Sequence, residues 1–211
     1  MLSGLLIQCK GFLGVTKRAF DLLFSVVGLV MLSPLLIYIA FRIKIDSPGP
    51  IIFRQERVGL SGKIFRIHKF RTMTTLSNNL DRQITVGRDA RITRVGHFLR
   101  RYKLDELPQL IDVLVGSMSF VGPRPEVTKY VALYPDDIRR IVLSVRPGIT
   151  DLASIEYRSE SDLLGKATNP EATYIQDIIP VKLAYCLEYV KHQSLVFDLR
   201  IIFRTFRIIA R

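Results

Sequence analysis

The sequence predicts an α+β protein, rich in helix, in which a membrane segment leads into a small soluble domain and a basic amphipathic helix closes the chain. Three observations predict it. Charge and hydrophobicity are segregated: Lys and Arg number 31 against 19 Asp and Glu, a net +12, yet 48% of the 211 residues are apolar. An apolar run of membrane length, AFDLLFSVVGLVMLSPLLIYIAF, fills residues 19–41 with Asp21 as its only charge. Arginines then recur at helical spacing through the last stretch of chain. The length suits one domain plus an anchor, and the composition excludes a disordered or fibrous chain. Cys9 and Cys186 have neither CxxC nor framework spacing, which suggests no disulfide scaffold or zinc site and a reducing compartment. The positive excess calls for an anionic partner: phosphate, nucleic acid or acidic lipid.

Residues 1–46 form the N-terminal segment and membrane helix. A secretory h-region is shorter and is followed by a small-residue cleavage site, which is not seen here, so the run is not a removable signal. Pro34, after Ser33, removes a backbone donor inside the helix, and the carbonyl it frees needs a partner that the Ser33 hydroxyl could supply. Both flanks are positive, Lys10, Lys17 and Arg18 before and Arg42 and Lys44 after. Since basic flanks favour the cytoplasmic side, a hairpin bent at Ser33-Pro34 and a single kinked span are both open on these features.

Residues 47–194 form the soluble domain, opened by the helix-breaking Ser47-Pro48-Gly49-Pro50. Between Arg54 and Lys103 thirteen Lys or Arg face only Glu56, Asp81 and Asp89, whereas from Asp136 to Glu188 nine acids outnumber six bases. Ile51–Phe53 and Ile64–Ile67, parted by Gly59 and Gly62, read as a small hairpin, and Leu76–Gly87 as a surface loop. Helices are expected over Ile92–Arg101 and Glu106–Val115, and short helices and turns after that, punctuated by prolines. In residues 195–211, Arg200, Arg204, Arg207 and Arg211 share one stripe among Ile and Phe. This is a basic amphipathic helix, suited to an anionic bilayer interface or, alternatively, to packing on the domain with a solvated arginine edge.

The string LRRYKLDELPQL, residues 99–110, could carry chemistry. Pro108 is tolerated in a first helical turn, so a helix should start near Asp105 and leave that carboxylate at or beside the N-cap. Helix N–H groups, Arg100, Arg101 and Lys103 should then depress its pKa and keep it ionised, as attack on phosphorus requires. The blander reading makes Asp105 a cap and Glu106 a residue that complements the helix dipole. Asp and Glu adjacent in sequence point about 100° apart on a helix, so the two should have different roles. In Gly122-Pro123-Arg124-Pro125 a rigid turn can present one guanidinium to a phosphate. His68, His97 and His192 lack ligand spacing.

The ordered motifs DARITRVG (89–96), LRR (99–101), LDELPQL (104–110), MSFVGPRPE (118–126) and RPGIT (146–150) closely resemble those of the bacterial sugar transferases, the monotopic polyprenyl-phosphate phosphoglycosyl transferases. KRAFDLLFSVVGLVMLSP, SPGPIIFRQERVG and KIFRIHKFRTM extend the resemblance, from about Lys17 to the C-terminus. The resemblance implies transfer of a phosphosugar from a UDP-sugar to polyprenyl phosphate, usually undecaprenyl phosphate, with release of UMP, at the start of a membrane-bound glycan. It implies Asp105 as nucleophile through a covalent phosphosugar intermediate, Glu106 as acid/base or orienting partner, and Mg2+ held by Asp105 with the substrate diphosphate. Arg100 and Arg124 fall at phosphate-binding positions, and Lys69 and Arg71 are further candidates. It also implies a re-entrant membrane hairpin broken at Ser33-Pro34, a cytoplasmic catalytic domain with interfacial helices, and a monotopic place on the bacterial inner membrane. UDP-sugar, polyprenyl phosphate and the bilayer are then the partners, nucleic acid is not, and a homodimer stays open.

After RPGIT the chain departs from the common family pattern: Asp151–Arg158 replaces a Gly-Trp-Ala-Gln-like run, and the chain has no Trp. That bears on sugar and uracil contacts, not on phosphoryl chemistry. Without the long multi-span region of larger members, the chain resembles the minimal catalytic form. Rival readings are a membrane-tethered protein that binds nucleic acid or anionic lipid without catalysis, and an inert membrane-anchored interaction module.

Overall fold

A computed structural model of the chain describes residues 2–74, 84–87 and 89–209, with side chains from Gly14 onward. Most of the loop expected over Leu76–Gly87 lies outside the described residues. Helix α1 runs from Leu2 to Asp46 with Pro34 inside it. Helical structure thus continues through Ser33-Pro34 as one element. The missing amide of Pro34 orphans the carbonyl of Val30, four residues back, and the Ser33 hydroxyl donates to that carbonyl at 2.8 Å.

One stripe of α1 faces the rest of the protein. Asp21, Ser25, Gly28, Leu32, Leu36, Ile39, Ile43 and Asp46 recur at three- and four-residue spacing and are buried or half-buried. Most of the intervening apolar residues stay exposed, with Met31 at 75% and Ile37 at 70%. Lys17, at the start of this stretch, pairs with Asp198, and at its end Asp46 accepts the Val95 amide at 3.1 Å. Those two anchors lie roughly 43 Å apart along a straight helix axis, and Lys17 also donates to the Val121 carbonyl at 3.1 Å, so both ends of the stretch reach residues between 47 and 194.

Strands β1 (Ile52–Val58) and β2 (Ile64–Phe70) form the expected hairpin, longer than its apolar cores, with Ile52 opposite Phe70 and Val58 opposite Ile64. Its turn places Ser61 and Gly62 at positive φ. Helix α2 (Arg94–Arg101) starts where Thr93 accepts the Gly96 amide at 3.0 Å. A Cβ on Gly96 would stand 2.2 Å from the Thr72 carbonyl oxygen, so only glycine lets α2 approach the end of β2 this closely.

A 3-10 turn, Leu104–Glu106, leads to α3 (Gln109–Val115). Arg18 of α1 donates to the last-turn carbonyls of α3 at Val113 (2.6 Å) and Leu114 (3.0 Å), where cations are favoured. Strand β3 (Ser119–Val121) pairs in parallel with β4 (Gly148–Thr150). The crossover that parallel pairing demands carries α4 (Thr128–Val131) and α5 (Asp136–Val142). So the two motifs MSFVG and RPGIT meet as neighbours in one sheet. A Cβ on Gly148 would fall 2.1 Å from the Gly122 nitrogen, which makes glycine obligatory at the contact that seats the Arg124 loop.

The remainder is helical: α6 (Leu152–Glu156), α7 (Glu160–Lys166), α8 (Pro170–Thr173), a π-helical turn (Tyr174–Ile178), α9 (Ile179–His192) and α10 (Leu195–Ile209). Val127, Tyr130, Leu164, Tyr174 and Leu183 form one apolar cluster, and Val121, Leu152, Tyr189 and Ile201 another. Helix α10 packs through Asp198 and Ile201 while Val196, Leu199, Phe203 and Phe206 stay exposed beside Arg200 and Arg207. It therefore combines a docked face with an exposed apolar row and a basic edge.

Candidate active site

The site is built around Asp105, and the sequence misplaces that residue by one turn. Asp105 lies inside the Leu104–Glu106 turn, and α3 begins only at Gln109. Pro108 explains the difference: without an amide hydrogen it cannot donate to Leu104, and the turn closes instead through Glu106 N to Lys103 O and Leu107 N to Leu104 O, both 3.3 Å. Lys103 sits at φ +55, the left-handed conformation that ends α2 and turns the chain into the site.

The two carboxylates are both buried but differ in partners. Glu106 Oε1 accepts from Lys69 Nζ at 2.7 Å and from Arg124 Nη2. Burial works against its charge, but Arg124, Lys69 and Lys103 outweigh it and hold Glu106 well below the usual carboxylate range. Asp105 shows the opposite. Desolvation first, then the charge of Glu106, raise its pKa against the opposing pull of Lys69, Lys103 and Arg100. The expected depression therefore falls on Glu106 and not on Asp105. Asp105 Oδ1 is buried without a hydrogen-bond partner.

The structure brings Lys69, Arg100 and Arg124 to this pair and sends Arg71 elsewhere. Arg100 Nη2 donates to Thr85 Oγ1 at 3.0 Å, and the charges felt by its guanidinium are led by Asp105 after burial itself. Arg71 is 3% exposed and donates to the carbonyls of Ser47 (2.7 Å), Ile43 (3.4 Å) and Pro48. It clasps the C-terminal end of α1. Arg101 is exposed and lies over the Tyr102 ring, 5.6 Å from its centroid. His68 is held by Asp112, Nδ1 to Oδ1 at 2.8 Å, with the His68 amide on Oδ2 at 2.8 Å. That contact pins β2 to α3 beside Lys69. The sequence reading passed over Gln109 and Asp112, which stand four and seven residues after Asp105 and are both buried at the start of α3.

No group of three or more His, Cys, Asp or Glu gathers as a metal site among the described residues. A single partnerless carboxylate oxygen is nevertheless a fitting protein ligand for Mg2+, which commonly takes one or two carboxylates and completes its shell with substrate phosphates and water. Asp105 Oδ1 is such an oxygen. Glu106 is already held by two cations.

The profile of the family described as bacterial sugar transferase matches residues 12–211. The UDP-glucose:undecaprenyl-phosphate glucose-1-phosphate transferase of Escherichia coli (strain K12) is 41% identical over 192 residues, covering 90% of this chain and 39% of that protein. The UDP-N-acetylgalactosamine-undecaprenyl-phosphate N-acetylgalactosaminephosphotransferase of Aeromonas hydrophila is 38% identical, covering 92% and 43%. The chain thus spans about two fifths of these relatives. The exopolysaccharide production protein PSS of Rhizobium leguminosarum bv. phaseoli is 41% identical, covering 90% of this chain and 93% of that protein.

Proposed function

The chain belongs to the bacterial sugar transferase family, and on that premise we propose that it transfers a phosphosugar from a UDP-sugar to polyprenyl phosphate in two displacements through Asp105. The observation that carries this reading is Asp105 itself: a desolvated carboxylate with a partnerless oxygen, placed among Lys69, Arg100, Lys103 and Arg124. In the first displacement an Asp105 oxygen bonds to the sugar-bearing phosphorus as that phosphorus loses its bond to UMP, leaving an aspartyl-phosphosugar. In the second, a phosphate oxygen of the polyprenyl acceptor bonds to the same phosphorus and the carboxylate departs.

Glu106 acts as an orienting anion. It stays ionised, and a phosphate nucleophile is already anionic, so neither displacement needs a general base. By holding Lys69 and Arg124 it sets two cations where charge builds on the transferring phosphoryl group. Each keeps free N–H donors for phosphate oxygens. A raised pKa suits Asp105, because a more basic carboxylate is the stronger nucleophile once ionised. Asp105 would hold Mg2+, which would supply neutralisation of the charge that builds on the leaving group.

The exposed apolar face of α1 is the bilayer contact in this reading, and both of its polar ends are tied to one domain. That supports entry and exit by the same membrane face, hence a monotopic, re-entrant placement on the cytoplasmic side of the inner membrane, with the apolar row of α10 at the interface. The lipid-borne acceptor then reaches Asp105 at headgroup level. The test is UMP release by the purified protein with undecaprenyl phosphate, Mg2+ and a panel including UDP-glucose and UDP-N-acetylgalactosamine. Release that depends on both substrates supports the reading, and its absence across the panel refutes it.

A further inference from the structure

Asp105, in the turn that precedes α3, and Gln109 and Asp112, on α3 itself, follow one another at spacings of four and three and are 7%, 1% and 1% exposed. The lower end is locked, since both Asp112 oxygens accept from His68. The upper two are not: Asp105 Oδ1 and Gln109 Nε2 are both buried without a hydrogen-bond partner. One is an acceptor and the other a donor, four residues apart in the sequence. An unsatisfied buried polar group is destabilising, and a complementary pair of them, one on the reacting carboxylate itself, is a reserve of hydrogen bonding that the resting protein leaves unused.

Three cations of the site already have side-chain partners, Lys69 and Arg124 on Glu106 and Arg100 on Thr85. A neutral carboxamide has an advantage over any of them as a partner for a nucleophile. It can fix the carboxylate's orientation without the full charge pairing that would lower the basicity of its oxygens.

We propose that Gln109 is a positioning residue for Asp105: as substrate seats, its carboxamide N–H holds one carboxylate oxygen, directly or through one water, and leaves the other oxygen aimed at phosphorus. This rests on Asp105 being the nucleophile. Gln109 contacts no substrate atom in this arrangement, so it acts on the chemical step and not on donor binding.

The experiment compares wild type, Gln109→Met and Gln109→Glu for kcat and KM toward the UDP-sugar, read as UMP release, alongside Tm. Methionine keeps the length and apolar stem but removes the donor. Its expected result is a kcat lower by about 10- to 100-fold, the scale of a misplaced reacting group. KM should stay within about twofold. Its Tm should equal or exceed that of wild type, because an orphaned amide is gone. Glutamate, which replaces the donor by an acceptor, should lose more activity than methionine. An unchanged kcat in Gln109→Met, a raised KM at constant kcat, or a loss that merely follows a fall in Tm would overturn the assignment. Wild-type protein that releases no UMP would instead sink the transferase reading on which it stands.

Discussion

Two buried polar clusters in this chain differ in how completely they are paired. At the start of α1, Lys17 binds Asp198 and the Val121 carbonyl (3.1 Å), Tyr189 donates to Asp198 Oδ1 at 2.9 Å, and Asp21 Oδ1 takes the Ser119 hydroxyl and the Phe120 amide, both at 3.1 Å. No buried side-chain nitrogen or oxygen of that cluster lacks a partner among the described residues. Around Asp105, two within five residues do. The first cluster is closed on itself and ties α1, β3, α9 and α10 together. The second is left open at the atoms a phosphoryl group or its nucleophile would use. Burial of charge alone does not mark a reactive site, nor does one orphaned atom, since Arg71 Nε in the clasp on α1 is also buried without a partner. What distinguishes the second cluster is an orphaned acceptor and an orphaned donor within five residues.

The sharpest way to break this contrast is Asp105→Asn. It should abolish phosphosugar transfer by at least ~10³-fold, as loss of a nucleophile does. Tm should hold or rise, since burial already disfavours the Asp105 charge; a fall in Tm matching the lost activity would make Asp105 structural. Asp198→Ala should do the reverse. It leaves Lys17 buried and unpaired, at a cost of about 3–5 kcal/mol in denaturant unfolding, with kcat per folded molecule retained. Glu106→Gln should lower kcat by about 10²-fold, on the scale of one lost electrostatic contact, because Lys69 and Arg124 lose their common anchor.

Acidity separates the two carboxylates further. Asp105 has a pKa above its ordinary 3.8, so activity should fall on acidification with a midpoint above that value, about tenfold per pH unit below it. Glu106, held well below 4.5, stays ionised throughout that limb. In Glu106→Gln the residual activity should show the limb displaced to lower pH, since the second influence raising Asp105 is gone; an unmoved limb would assign it to another group. The smallest effect is expected at Ser33→Ala. Losing the bond to the Val30 carbonyl should cost about 0.5–1.5 kcal/mol of stability in detergent.

Much of this was legible in the sequence wherever one residue type has one physical use. The membrane-length run, the service of Ser33 to the carbonyl freed by Pro34, and the hairpin around Gly59–Gly62 follow from composition, proline chemistry and strand alternation. The pairing of Lys69 and Arg124 on Glu106 was not legible, because it joins β2, the turn after α2 and the loop after β3, and no local spacing encodes that meeting. Arg71 stands in the same basic string as Lys69, but two residues along the chain its guanidinium falls against the carbonyls that end α1. Counting charges could not separate a phosphate ligand from a helix clasp. The pKa expectation for Asp105 failed for a related reason. Nearby arginines were visible in the string, but desolvation depends on the complete fold.

The most direct test is intact-protein and peptide mass spectrometry of the enzyme quenched during reaction with its UDP-sugar, before polyprenyl phosphate is added. The chain should gain the mass of one phosphosugar, mapped to the peptide containing Asp105 and discharged when the acceptor is supplied. Turnover without an adduct, or an adduct on a different side chain, would contradict the assignment of Asp105 as nucleophile.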